Sequence, residues 1–207
     1  MIEIIIKGIL IGLCISVPLG PIGMLCIQRT LNRGQKFGIA TGLGATASDL
    51  VYTLITLFFL SFVIDIIEHN RMIIQLGGSF VVALFGLYIF RSHPSTQPQP
   101  DEPAKHTLFG DFVTSFGLTL SNPLVLFVLI ALFARFEFIN SQTTFFLTVC
   151  GILSILGGAL LWWNTLTYLV SHFRTRLDMR GLKIINRITG VVIIIIGCVG
   201  GVLSWMN

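Results

Sequence analysis

Polar residues in this chain are confined to short intervals between long apolar runs. Six runs, at about 4–27, 37–63, 72–90, 109–133, 144–170 and 184–206, approach or exceed the ~20 helical residues needed to cross a hydrocarbon core. One interval stands apart: residues 91–107 are polar and carry Pro94, Pro98, Pro100 and Pro103. Prolines at that density exclude helix and sheet, so the stretch reads as a linker. The pattern predicts an all-α polytopic membrane protein of six transmembrane helices, arranged as two inverted three-helix repeats. The first repeat covers 1–92, a cytoplasmic Pro-rich linker 93–107, and the second repeat 108–207.

Composition supports the membrane reading. Hydrophobic residues make up 54% of the 207, charged residues only 11%, and the mean hydropathy is +0.91. A soluble domain carries about 25% charged residues, so this chain lacks a soluble surface. The net charge of +4 does not indicate nucleic acid, because the basic residues sit between the apolar runs instead of on one face. Their distribution sets an orientation instead. Ten lie in the first, third and fifth connections (Arg29, Arg33, Lys36; Arg91, Lys105; Arg174, Arg176, Arg180, Lys183, Arg187), against Lys7, Arg71 and Arg135 elsewhere. The positive-inside rule makes the odd connections cytoplasmic and puts both termini outside. The apolar stretch Ile4 to Val17 is followed by Pro18-Leu19-Gly20-Pro21 and not by a small-residue cleavage site, so it reads as the first helix and not as a signal peptide.

Two positions interrupt the helical pattern. The first span contains Ser16-Val17-Pro18-Leu19-Gly20-Pro21, and the fourth contains Ser121-Asn122-Pro123. Pro18 and Pro123 each stand 14 residues beyond the expected starts at 4 and 109. Proline removes a backbone N–H and clashes with the carbonyl four residues back, at about 3 kcal/mol in a helix interior. In lipid, a freed carbonyl must find a partner within the protein or in a water-filled cavity. Three spans per half give the halves opposite polarity, so the paired breaks are expected to meet near mid-membrane and form a substrate site. The candidate substrate-binding residues are Ser16, Pro18, Gly20, Pro21, Asn122 and Pro123. The bland reading, a proline kink that only shapes packing, is weaker for two breaks at one depth than for one.

Asp49 is the acid that falls deep within a span. It lies 12 residues into the second run, about 18 Å along a helix axis. A carboxylate at that depth costs on the order of 2.5–3.5 kcal/mol, and intramembrane acids are retained for function. Thr46, Asp49, Thr53 and Thr56 fall on one helical stripe, which predicts a polar strip facing the bundle interior. Asp49 is the candidate proton-coupling residue. The plainer alternative is a neutral Asp donating to a kinked backbone.

Other features read as structural. Gly34, Gly38 and Gly42 form a small-residue stripe suited to close helix packing, as do glycines around 77–78, 151–158 and 197–201. Trp162, Trp163 and Tyr168 read as an interfacial aromatic belt. Cys14, Cys26, Cys150 and Cys198 lie singly in apolar runs and read as small buried hydrophobes. His69, His93, His106 and His172 are scattered through connections without metal-ligand spacing, so no metal and no cofactor are expected. No Gly-Lys phosphate loop or Ser/His/Asp set is present, which argues against an ATP-driven pump working alone.

Several of these segments resemble the lysine and threonine exporter (LysE/RhtB-type) translocators. The similarity rests on Pro18-Leu19-Gly20-Pro21, on Arg33-Gly34-Gln35-Lys36-Phe37-Gly38, on the Gly-rich approach to Asp49, on Ser121-Asn122-Pro123, and on Arg187-Ile188-Thr189-Gly190. The resemblance implies a small six-helix carrier that exports amino acids, driven by proton exchange or membrane potential. The family often has Lys directly after Asn-Pro, whereas here Leu124 follows Pro123.

The sequence therefore points to a secondary transporter exporting amino acids or similar small metabolites across the bacterial cytoplasmic (inner) membrane. It is not expected to be an enzyme. Its partners are a small-molecule substrate and the lipid bilayer, without nucleic acid, and a homo-oligomer is left open. The alternative is a membrane thiol–disulfide oxidoreductase of similar layout. That chemistry needs a redox cysteine in each half, and the fourth span has none. A divalent-cation carrier is disfavoured by the scarcity of carboxylate, imidazole and thiolate ligands in the spans.

Overall fold

In lipid a spanning segment must satisfy its own backbone, and helices do so internally. The computed structural model accordingly consists of helices among the residues it describes, which are 1–18, 20–69, 71–91, 107–138, 143–172 and 179–206. In chain order these are α1 (Ile2–Ser16), α2 (Pro21–Arg33), α3 (Gln35–His69), α4 (Arg71–Arg91), α5 (Leu108–Leu120), α6 (Leu124–Phe136), α7 (Phe145–His172) and α8 (Met179–Met206). Of the linker expected at 93–107, all but Thr107 lies outside the described residues. Thr107 caps α5, its hydroxyl accepting from the Gly110 N–H at 3.0 Å.

By length and composition, α4, α7 and the Gln35–Leu60 part of α3 are able to cross a membrane. The pairs α1–α2 and α5–α6 each qualify when taken as one span, bent by 79° and 68° at their breaks. That makes up to five spans among the described residues; α8 contributes a shorter apolar stretch, Gly190–Val199. Large apolar side chains such as Phe58, Phe80, Phe127 and Phe145 point outward, as lipid contact requires. The chain is an all-α, multi-pass membrane protein.

Lipid tails are as apolar as leucine, so helices associate through close packing at small residues. Along α1, Ile4 abuts Gly151 of α7, Gly8 abuts Ser154, and Gly12 abuts the Ile155 carbonyl and Ala159. The numbering rises together, so α1 and α7 run parallel. The same holds for α3 and α5, where Gly44 meets the Phe112 carbonyl and Ser48 bonds Phe116. Helices α4 and α8 are antiparallel, with Gly86 against Gly190 and Ile194, and Gly197 against Ala83. Not every glycine expected to pack does so. Gly34 has φ 101° and open space around it, and closes α2 as a C-cap that a side chain would strain. Gly77 and Gly157 also face open space.

Two apolar clusters hold the bundle. The larger is centred on Ile11, Leu129, Phe133, Phe138 and Ile155, and the smaller on Met24, Ile27, Leu166 and Val170. Cys14 belongs to the first and Cys26 to the second, where its thiol donates to the Gly38 carbonyl at 3.4 Å.

Candidate functional site: a cavity between two helix breaks

Each break is built from local backbone chemistry. α1 closes with the Val17 N–H on the Leu13 carbonyl, 2.8 Å, and the Gly20 N–H then turns back to Pro18 O at 2.8 Å. Pro21 occupies the first turn of α2, where its missing N–H costs nothing. Gly20 is the N-cap with φ −78° and ψ −164°, an extended conformation open to any residue, and a Cβ there would meet nothing within 4 Å. No side chain caps the start of α2. Leu19 lies outside the described residues.

The second break is capped by its own side chains. Ser121 donates through N–H (2.9 Å) and hydroxyl (2.8 Å) to the Gly117 carbonyl, and the Asn122 N–H reaches Thr119 O at 3.0 Å. The Asn122 Oδ1 then accepts from the Leu124 N–H at 3.2 Å and starts α6. Tyr52 of α3 completes the cap. Its hydroxyl lies 2.6 Å from the Leu120 carbonyl and 3.1 Å from that of Asn122. A break in lipid leaves such carbonyls in need of donors; that of Asn122 also accepts from the Val125 N–H at 3.3 Å. Tyr52 carries no sequence motif, and its role is visible only from the fold.

Between the breaks lies a cavity of about 340 Å3, lined in part by Ser16, Pro18, Gly20 and Pro21 from the first break and by Asn122 from the second. Asp49 of α3 lines it too, next to the Ser16 hydroxyl. Pro123 is exposed and does not line the cavity; it serves as the N-cap of α6. Of the Asp49 stripe, Thr46, Thr53 and Thr56 are buried as expected. Thr46 and Thr56 spend their hydroxyls on carbonyls one turn back, Gly42 and Tyr52. The structure departs from the sequence reading at Trp163. This residue is only 5% exposed and lines the cavity, packed over Gly42, whose missing side chain makes the room. Tyr168 is outward-facing.

A second buried carboxylate went unnoticed in the sequence. Asp111, in the first turn of α5, is fully buried beneath Arg29 and Arg33 of α2. Arg29 Nε is 3.2 Å from Asp111 Oδ1, and Arg33 Nη1 is 3.1 Å from Oδ2. Arg29 Nη1 also donates to Thr41 Oγ1 and to the Asp111 carbonyl, both at 3.0 Å. Thr41 precedes Asp49 by eight residues on α3, which puts this cluster roughly 12 Å from the cavity acid along the helix. Arg29 and Arg33, expected in a connection, are therefore helical and paired.

The family model for LysE type translocators matches residues 13–202. The chain belongs to the LysE type translocator family. The match runs from the last turn of α1 through both breaks and into the last turns of α8. This LysE type translocator is also 25% identical, over 199 residues, to a Bacillus subtilis (strain 168) protein named "Putative amino acid efflux protein YcgF". The alignment covers 94% of this chain and 93% of that protein. No solved structure matches this LysE type translocator.

Proposed function

We propose that the chain is a secondary transporter that exports amino acids or similar small metabolites across the bacterial cytoplasmic membrane, coupled to protons or to the membrane potential. The observation that carries this reading is the convergence of both helix breaks and Asp49 on one cavity. Its volume of about 340 Å3 suits a single small metabolite, at the low end of ligand pockets of ~300–1,000 Å3. In this reading Ser16, Pro18, Gly20, Pro21 and Asn122 shape the substrate site, Pro123 sets the start of α6, and Asp49 carries the coupled proton. The family membership and the amino-acid efflux name of the Bacillus relative support the substrate class.

The proposal includes six spans in two inverted repeats, 1–92 and 108–207, with both termini outside. Helix packing supports it. A two-fold axis in the membrane plane would exchange α1–α2 with α5–α6, and α3 with α7. The parallel pair α3·α5 would then map onto the parallel pair α7·α1, and both are present. It would map α4·α8 onto itself, which demands an antiparallel pair, and that pair is antiparallel. The test is efflux of a labelled amino-acid panel from proteoliposomes, with and without a pH gradient or an imposed potential. Export of at least one amino acid that responds to either gradient is expected; no flux above protein-free vesicles for the whole panel would defeat the reading.

A further inference from the structure

The lining of the cavity carries information about the side chain of the solute, given the reading of this cavity as the transport site. Among the described residues that line it, Asp49 is the one carboxylate and there is no cationic side chain. The Leu124 position, directly after Asn122-Pro123, adds an aliphatic group to the wall. Most of the remaining wall is apolar: Phe85, Tyr88 and Trp163 provide aromatic surface, and Ile15, Val125 and Val128 aliphatic surface.

Three lining residues carry polar atoms that are buried and have no hydrogen-bond partner. They are the Ser16 and Thr119 hydroxyls and the Trp163 indole N–H, on residues 4%, 6% and 5% exposed. Buried polar atoms are almost always paired, and orphaned ones on three residues of one cavity wall mark a place for a polar ligand group. The indole N–H is purely a donor, so its missing partner is an acceptor such as a carboxylate oxygen. The uncapped first turn of α2 adds backbone N–H groups and a partial positive charge at the same cavity. Asp49 and Ser16, by contrast, offer acceptors suited to an ammonium.

We propose that the cavity selects a zwitterionic α-amino acid with a bulky apolar or aromatic side chain, and discriminates against side chains that carry a second charge. The ammonium faces Asp49 and Ser16, the carboxylate meets Thr119, Trp163 and the start of α2, and the side chain lies against Phe85 and its aliphatic neighbours. A lysine-like solute would bring a second ammonium into a wall without another carboxylate. A glutamate-like solute would bring a second carboxylate without a cation. In either case a charge is buried unpaired, which binding sites reject strongly.

The experiment is transport by the wild-type protein in proteoliposomes, with phenylalanine, leucine, alanine, lysine and glutamate compared by KM and by mutual competition. Phenylalanine or leucine should show a KM at least about tenfold below that of lysine or glutamate. Lysine or glutamate carried as well as phenylalanine overturns the proposed selectivity and leaves the transport function standing. Flux of none of the five overturns both. The Phe85→Ala variant adds a second readout: KM for phenylalanine should rise about tenfold while that for alanine stays unchanged. An equal rise for both would show that Phe85 supports the fold and does not line the side-chain pocket.

Discussion

Arg29 lies across the Asp111 carboxylate, with its Nε 3.2 Å from Oδ1 and its Nη1 3.0 Å from the Asp111 main-chain oxygen. The two residues are 82 apart in sequence and join α2 to the first turn of α5. Each belongs to one of the broken pairs that meet at the cavity. The N-terminal dipole of α5 also favours a carboxylate at this position. A buried ion pair is weak evidence for net stability, but removing one partner leaves an uncompensated charge in a water-poor interior.

Replacing Asp111 should therefore be more damaging than replacing either arginine. Asp111→Ala leaves two cations facing each other and is expected to cost about 3–5 kcal/mol. Arg33→Ala should cost less, because Arg33 is the more exposed cation and Arg29 still pairs with the carboxylate. Thermal unfolding of the purified protein in detergent reads the order directly. An Asp111→Ala variant as stable as wild type would show that the cluster is not structurally required.

Close helix approach makes a second prediction. A Cβ at Gly12 would collide with the Ile155 carbonyl of α7, whereas one at Gly157 meets nothing within 4 Å. Gly12→Ala should destabilise by about 1–3 kcal/mol through forced separation of α1 and α7. Gly157→Ala should leave the unfolding temperature unchanged. Equal effects would contradict the observed packing.

The hydroxyl of Tyr52 can be removed without changing the ring. Tyr52→Phe removes the hydroxyl shared by the Leu120 and Asn122 carbonyls, the latter keeping the Val125 N–H, at an expected cost of about 1 kcal/mol for an intramembrane hydrogen bond. Flux should fall more than stability does, because Asn122 borders the cavity. A variant with wild-type flux would show that the second break holds its shape without Tyr52.

Gly20 separates a backbone role from a site role. Its extended φ and open surroundings allow alanine to fit without strain. Gly20→Ala should keep the wild-type unfolding temperature and lower flux, since the added methyl projects where the solute passes. Loss of stability instead would mean that the glycine is needed for the turn.

The breaks at Pro18 and Pro123 were legible in the sequence because proline acts locally, through its own ring and its missing N–H. Asp49 was legible because its cost depends on depth, which the apolar run defines. Asp111 was not: in sequence it sits beside a polar linker, where an acid in a first turn looks like ordinary capping. Its burial depends on Arg29 and Arg33, and only the packing of α2 on α5 brings these together. Trp163 was misplaced for a related reason. A tryptophan near the end of an apolar run resembles an interfacial anchor, and what draws it inward is a glycine on another helix, Gly42. Gly34 shows the converse error: one glycine of an evenly spaced stripe serves the end of α2 and packs against nothing.

The central claim, that Asp49 couples solute export to protons at the cavity between the breaks, is tested most directly by the Asp49→Asn variant in proteoliposomes. Amino-acid flux is measured with and without an imposed pH gradient, alongside the unfolding temperature. The expected result is a folded protein whose flux no longer responds to the gradient. A folded Asp49→Asn protein with wild-type, gradient-driven flux would contradict it.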